Sequence, residues 1–285
     1  MFLAAIISKP QKPELATILP ELLEWLKAHD YSAILDPESA VYLPDLPMVE
    51  RADMPQHQPN LVIVFGGDGT LLAAARAFAR TNTPLLSVNL GSLGFLTETP
   101  LSELYSALDA WCCGEAILDC RNMMHCELHR GEHVLQEWDA LNDVVLAKGT
   151  IARMADFTVE IDDQFVATFR ADGIIASTPT GSTAYNLAAD GPIMMPSVNA
   201  MVVTPICPHL FTLRPIVVPG ESVISIEVVG VPNEIYLTVD GQEVVELRLG
   251  DRVRCLRSDA SVRLLRNQPS GLFNVMRSKL KWGER

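Results

Sequence analysis

Asp68 sits inside a glycine turn, Gly66-Gly67-Asp68-Gly69-Thr70, within the run VFGGDGTLL at 64–72. The preceding residues 61–65 are apolar and β-branched, which predicts a buried strand. Residues 70–80 are rich in Ala and Leu and predict a helix. Glycines in such a strand-to-helix turn allow a sharp bend and the close approach of a ligand. The N–H groups and dipole of the helix start favour an anion. A carboxylate in that place opposes phosphate, so Asp68 must accept a proton, hold a magnesium ion or cap the helix. The first two roles mean phosphoryl transfer and the third is purely structural.

A second constellation lies at 177–185, STPTGSTAY. Ser177, Thr178, Thr180, Ser182 and Thr183 crowd hydroxyls around Gly181, and Ala184 and Tyr185 follow. Hydroxyls donate and accept, which suits ribose and base edges, and the Tyr185 ring offers a flat apolar face. A Ser/Thr-rich N-cap is the structural alternative. Asn142-Asp143 opens the strand-like LNDVVLAKG and pairs an amide with a carboxylate, unless it is a surface turn. Arg170-Ala171-Asp172-Gly173 ends one strand and begins the next, which also describes a charged hairpin corner. Alternation puts His125, Glu127 and His129 on one strand face and Met124, Cys126 and Leu128 on the other, which argues against zinc. Asp240-Gly241 reads as a hairpin turn. Neither GxxxxGK[ST] nor GxGxxG occurs.

The elements that must position these residues fall into two textures. Strand-like and helix-like segments alternate through about residue 118: strand 2–8, helix 14–29 with Pro20 kinking or restarting it, strand 31–36, strand 61–65, helix 70–80, strand 84–88, helix 101–111. That order implies a Rossmann-like α/β domain with a parallel sheet, whose ligands bind at the carboxyl ends of strands. The GGDGT turn and the loop NLGSLGF at 89–95 both fall at such ends. Residues 37–59 hold Pro37, Pro44, Pro47, Pro55 and Pro59 and read as one long loop, a candidate mobile flap. From 119 to 266 short alternating strands predict an all-β domain, a β-sandwich, with an Asp-Gln turn between strands 157–162 and 165–170. Residues 267–285 form a polar and basic tail.

Bulk composition narrows the partners. The 285 residues are 48% hydrophobic with a net charge of −13. That acidity opposes nucleic-acid and anionic-membrane binding. A small anionic substrate needs only local cations, for which Lys148, Arg153, Arg170 and Arg214 are candidates. No run approaches the ~18 apolar residues of a membrane helix, and the N-terminus reads as a strand, not a signal peptide. Six cysteines without CxxC spacing fit a reducing, cytoplasmic setting.

Taken together and in order, GGDGT at 66–70, Asn142-Asp143, Asp172-Gly173 and TPTGSTAYNLAADGPI at 178–193 closely resemble the NAD kinase family, bacterial type. GGDGT alone is shared with lipid kinases; TPTGSTAY about 110 residues later is specific. The resemblance implies transfer of the ATP γ-phosphate to the 2′-hydroxyl of NAD's adenosine ribose, giving NADP, with Mg2+ carried by ATP. It also implies an α/β domain followed by a β-sandwich and assembly as a homodimer or homotetramer. By motif, Asp68 becomes the base or orienting acceptor, and Gly66, Gly67, Gly69 and Thr70 shape the phosphate turn. Phe95, Asn142, Asp143, Asp172, Thr180, Ser182, Thr183, Ala184 and Tyr185 line the dinucleotide site, with Arg170 and His209 in family-like sequence beside it. The family more often has Asn-Glu where this chain has Asn142-Asp143, which shortens the reach by one methylene. A lipid kinase and a non-catalytic NADP sensor are the competing readings. The first wants an apolar acceptor cleft and basic membrane-facing surface, and the second gains nothing from Asp68.

Overall fold

The computed structural model describes residues 1–91, 94–149, 154–230, 234–266 and 272–282. Ser92, Leu93 and the candidate cation Arg153 lie outside the described residues. The chain divides into two compact units, Met1–Cys120 with Val262–Arg285, and Arg121–Ser261.

The first unit is built on a parallel sheet of β1 (Phe2–Ser8), β2 (Tyr31–Leu35), β3 (Leu61–Phe65) and β4 (Pro84–Asn89), in the order β2-β1-β3-β4. A two-residue β5 (Thr99–Pro100) pairs with β4. The strands are continuous apolar runs, as sheets buried on both faces require. Helices α1 (Leu15–Ala28) and α4 (Leu104–Cys112) bury Leu19, Leu22, Leu104 and Leu108 against Ala4, Ile6, Leu61, Ile63 and Phe65. The alternate residues Val62 and Val64 are equally buried and point to the other face. There α3 (Asp68–Phe78) packs along β3, β1 and β4. Strand order reverses direction between β1 and β3, so the crevice at their carboxyl ends is the expected ligand position. The GGDGT turn lies there.

Three expectations need correcting. Pro20 neither breaks nor restarts α1, which runs unbroken from Leu15 to Ala28. Residues 37–59 are not one structureless loop. They contain α2 (Pro37–Ala40), capped by Asp36 through the Ser39 N–H at 2.9 Å, and a 3-10 turn, Met54–His57, with Met54 fully buried. Leu35 exchanges backbone bonds with Pro47 and Val49, and Arg51 bonds to buried Asp36 at 2.7 Å and to the Ser8 carbonyl at 2.8 Å. Such anchors are single residues far apart in sequence and leave no periodicity. The first hairpin of the second unit turns at Asp162-Asp163, both with positive φ (52° and 61°), one residue before the expected Asp-Gln.

In the second unit, β6 (Ile117–Arg130), β7 (His133–Ala140), β9 (Ala155–Ile161), β10 (Gln164–Ala171), β14 (Ile224–Val228) and β17 (Asp251–Arg266) form one sheet. The other is antiparallel, in the order β13-β12-β11-β8-β15-β16. Its strands are β8 (Asp143–Lys148), β11 (Gly173–Ser177), β12 (Ala200–Ile206), β13 (Ile216–Pro219), β15 (Ile235–Val239) and β16 (Glu243–Leu247). Phe157, Phe169, Ile226 and Val253 of the first sheet meet Leu146, Ile174, Val203 and Leu237 of the second in one core. This is a sandwich. The final residues of β17 belong to the first unit, where Arg263 and Leu264 pair in parallel with β4. Past the sandwich, α5 (Leu272–Leu280) occupies part of the basic tail.

Candidate functional site

In the first unit the turn after β3 is shaped by its side-chain-free positions. A β-carbon on Gly66 would run into the Thr70 side chain and lie 3.2 Å from the Lys9 β-carbon. A β-carbon on Gly67 or Gly69 would meet nothing within 4 Å among the described residues. Thr70 and Leu71 donate their N–H groups to the Gly67 carbonyl at 3.0 and 3.2 Å, and the helix starts without a side-chain cap. Asp68 therefore does not cap its own helix.

The Asp68 carboxylate instead holds the following loop. Its Oδ1 accepts from the Leu96 N–H (3.1 Å), the Thr97 N–H (3.0 Å) and the Thr97 hydroxyl (3.0 Å). Its Oδ2 accepts one bond, from the Phe95 N–H at 2.9 Å. Thr97 is held from behind by the Asn89 amide at 3.2 Å, and Ser87 reaches the Leu96 carbonyl. Gly94 passes so close to Asp68 that a β-carbon there would overlap Oδ1 and the Thr97 hydroxyl. Phe95 stands half-buried beside the turn. The close glycine spacing of NLGSLGF is the sequence signal for Asn89 and Gly94, and Thr97 carries none.

In the second unit, antiparallel register gathers a second set. Ser177 lies opposite Asp143, and Val239 opposite Val144, which brings Asn142-Asp143, the start of the TPTGSTAY turn and Asp240 to one end of the six-stranded sheet. Thr178 donates its hydroxyl to the Leu141 carbonyl at 2.6 Å and its N–H to the Asn142 carbonyl at 2.9 Å. Gly181 lies against that same carbonyl, where no β-carbon fits. Asp240 accepts the N–H groups of Leu141, Asn142 and Asp143 at 2.9, 2.7 and 3.1 Å. Asn142 is buried and its Oδ1 has no hydrogen-bond partner among the described residues.

The hydroxyls of the turn divide. Ser182 is buried and spent on Pro179 and Met194, and Thr180 accepts from buried Arg121 at 3.3 Å. Thr183 bonds back to the Thr180 carbonyl and stays half-buried with Ala184. Tyr185 is 45% exposed and lines a cavity of about 600 Å³ with Ile206, Cys207 and Arg214. Burial, and then the charge of Asp240, push the Asp143 carboxyl up to about 7, against the lowering influence of the Tyr185 backbone amide.

Arg170 and Asp172 are not brought to this end. Gly173 lies opposite Ala147, and Asp172 pairs with Lys148 at 3.0 Å, about 15 Å along the strands from Asp143. Arg170 is exposed and its carbonyl accepts the His209 N–H. His125, Glu127 and His129 do share a face: His125 contacts Asp139 and Glu137, and Glu127 meets His129 and Arg254. Among the described residues no cluster of His, Cys, Asp and Glu has the makings of a metal site.

Comparison with known proteins identifies the family. Residues 4–116 match the ATP-NAD kinase N-terminal domain and 141–267 the ATP-NAD kinase C-terminal domain. The chain is 57% identical to an NAD kinase of Acidobacterium capsulatum over 99% of both chains, and 50% identical to one of Koribacter versatilis over 99% of this chain and 98% of that one. Yeast NADH kinase, solved with NADH, superimposes with a TM-score of 0.90 at 26% identity, covering 100% of this chain and 89% of the other. An Archaeoglobus fulgidus NAD kinase solved with ATP shares the fold, with a TM-score of 0.74 at 22% identity, over 98% and 99% of the two chains. The chain belongs to the ATP-NAD kinase family.

Proposed function

We propose that Asp68 is the acceptor that orients the 2′-hydroxyl of NAD's adenosine ribose for attack on the γ-phosphate of ATP, giving NADP. The observation that carries this role is the uneven load on its carboxylate. Oδ1 takes three donors and Oδ2 takes one. An ionised carboxylate has about four acceptor sites, so Oδ2 retains room for one more O–H. Phosphoryl transfer has a loose transition state, and the protein's task is chiefly positioning and charge neutralisation. A carboxylate pinned by four bonds aims a hydroxyl without rearranging. It accepts the proton late in the transfer.

The turn at Gly67 and Gly69 is the proposed phosphate seat. Without a cluster of metal-ligating side chains among the described residues, magnesium is proposed to enter on the ATP phosphates as part of the substrate. Asn142, Asp143, Thr183, Ala184 and Tyr185 are proposed to hold the dinucleotide. Ser182 and Thr180 serve that turn from behind, because their hydroxyls are already committed within the protein. Since Asp172 lies at the far end of the sheet, a role for it in binding is best met by a second copy of the chain. The exposed apolar Leu210 and Phe211 support such a homo-oligomer. The free thiols of all six cysteines support a reducing, cytoplasmic setting.

The test is to incubate the purified chain with NAD, ATP and magnesium and to assay NADP with an NADP-specific dehydrogenase. Product that requires all three, and vanishes in Asp68→Asn, is expected. NADP formed at a near-normal rate by Asp68→Asn removes Asp68 from the chemistry. Binding of NADP without turnover by the unaltered chain points to a sensor.

A further inference from the structure

Two buried aspartates lie side by side at the end of the six-stranded sheet with unequal support. Asp240 is 7% exposed and receives three backbone N–H donors, from Leu141, Asn142 and Asp143. Asp143 is 5% exposed, and the Tyr185 backbone amide is only a lesser favourable influence on its carboxyl. The two residues are tied reciprocally, because the Asp240 N–H donates to the Asp143 carbonyl at 2.9 Å. Two adjacent carboxyls out of water do not both ionise readily. Three amide donors favour keeping the negative charge on Asp240. A proton on Asp143 then relieves both the repulsion and the burial penalty.

We propose that Asp143 meets the dinucleotide as a neutral carboxylic acid whose O–H donates a hydrogen bond to an acceptor atom of NAD, with Asp240 as the positioning anion that keeps it so. This rests on reading this end of the sheet as the NAD site. Among the described residues, Asp143 is faced by Ser177 from β11, Asp240 from the β15–β16 turn and the Tyr185 amide from the TPTGSTAY turn, and Asp240 is the titratable group among them. The raised pKa of Asp143, about 7, follows from that surrounding. Beside it the unpartnered Oδ1 of Asn142 is a pure acceptor. The pair thus offers a donor and an acceptor side by side, where a carboxylate would have offered two acceptors.

The experiment is calorimetric titration of NAD into the full chain and into Asp143→Asn and Asp240→Asn, from pH 6 to 8.5, in two buffers of different ionisation heat. The unaltered chain is expected to take up a proton on binding at pH 8. Its affinity is expected to fall about tenfold for each pH unit above 7. Asp143→Asn keeps a neutral donor of similar shape and is expected to bind with a flat pH profile. Asp240→Asn removes the like charge and is expected to move the fall in affinity to lower pH. Loss of binding in Asp143→Asn, together with a flat profile and no proton uptake in the unaltered chain, overturns the proposal. An infrared band of a neutral carboxyl at pH 6 that disappears in Asp143→Asn needs no ligand. If NAD fails to bind at any pH, the functional reading falls, and that band still decides the state of Asp143.

Discussion

Gly94 and Asp68 touch so closely that no side chain fits between them: a β-carbon on Gly94 would overlap the carboxylate oxygen that accepts three hydrogen bonds. The turn at 94–97 and the Asp68 side chain are therefore one object. Gly94→Ala must push the loop or the carboxylate aside. We expect a loss of ~1–3 kcal/mol in stability from the broken bonds. We also expect kcat to fall at least about tenfold while NAD binding holds, because a shift below 1 Å in an orienting group is costly to rate. Urea unfolding and steady-state kinetics on the same preparation check both. Unchanged kcat would mean that the position of Asp68 does not govern the chemistry.

Asp68→Asn carries two separable effects. The amide can keep one oxygen for the donors of Leu96 and Thr97, but its NH2 group then faces the Phe95 N–H. One bond is lost and two donors oppose each other, which costs ~1–3 kcal/mol of stability. Loss of the proton acceptor lowers kcat by at least ~100-fold. A melting curve and an NADP assay separate the two. A large kcat loss with no change in melting would leave the loop-holding role of Asp68 without support.

Much of this was legible in the sequence, and the failures share one physical cause. Continuous apolar runs such as Leu61–Phe65 announce strands buried on both faces, and GGDGT announces the turn, because both are local. Asp240 read as a hairpin residue and no more. Its side chain acquires its task only when β15 pairs with β8 and lays the turn beside Leu141–Asp143. Gly94 read as loop glycine, since the carboxylate it accommodates is 26 residues away in sequence. Asp172 appeared with the other motif residues, yet the antiparallel register of β8 and β11 sends it to the opposite end of the sheet. The anchors in 37–59 escaped for the same reason: Arg51 meets Asp36 and Ser8 across 15 and 43 residues. Local chemistry is written in spacing, and long-range pairing is not.

That anchoring can be weighed. Asp36 is fully buried, and burial raises its pKa above the ordinary value, against the opposing pull of Ser39 and Arg51. Removing one partner of a buried charge pair leaves the other uncompensated, at about 3–5 kcal/mol. Arg51→Ala should approach that loss and open residues 37–59 to proteases. Asp36→Asn should be milder, since it removes the buried charge and still caps Ser39. Chemical denaturation and limited proteolysis of the two variants give the ranking. If Arg51→Ala resists cleavage as the unaltered chain does, other contacts hold the segment.

Asp143 makes a prediction about stability that needs no ligand. Its pKa is 3.8 as an ordinary carboxyl and about 7 when folded. Below pH ~4 folded and unfolded chains both carry the proton, and its contribution is intact. Between pH 4 and 7 the unfolded chain gives up its proton and the folded chain keeps it, so stability drains as pH rises through that window. Above 7 the loss is complete. A shift of this size is worth up to ~4 kcal/mol. Asp143→Asn has no proton to lose, so its stability relative to the unaltered chain should climb from pH 4.5 to pH 8 by as much as that. Urea titrations at pH 4.5, 6 and 8 would show the two curves diverging. Curves that stay parallel would mean that Asp143 is ionised in the folded chain and that its charge is offset by other groups.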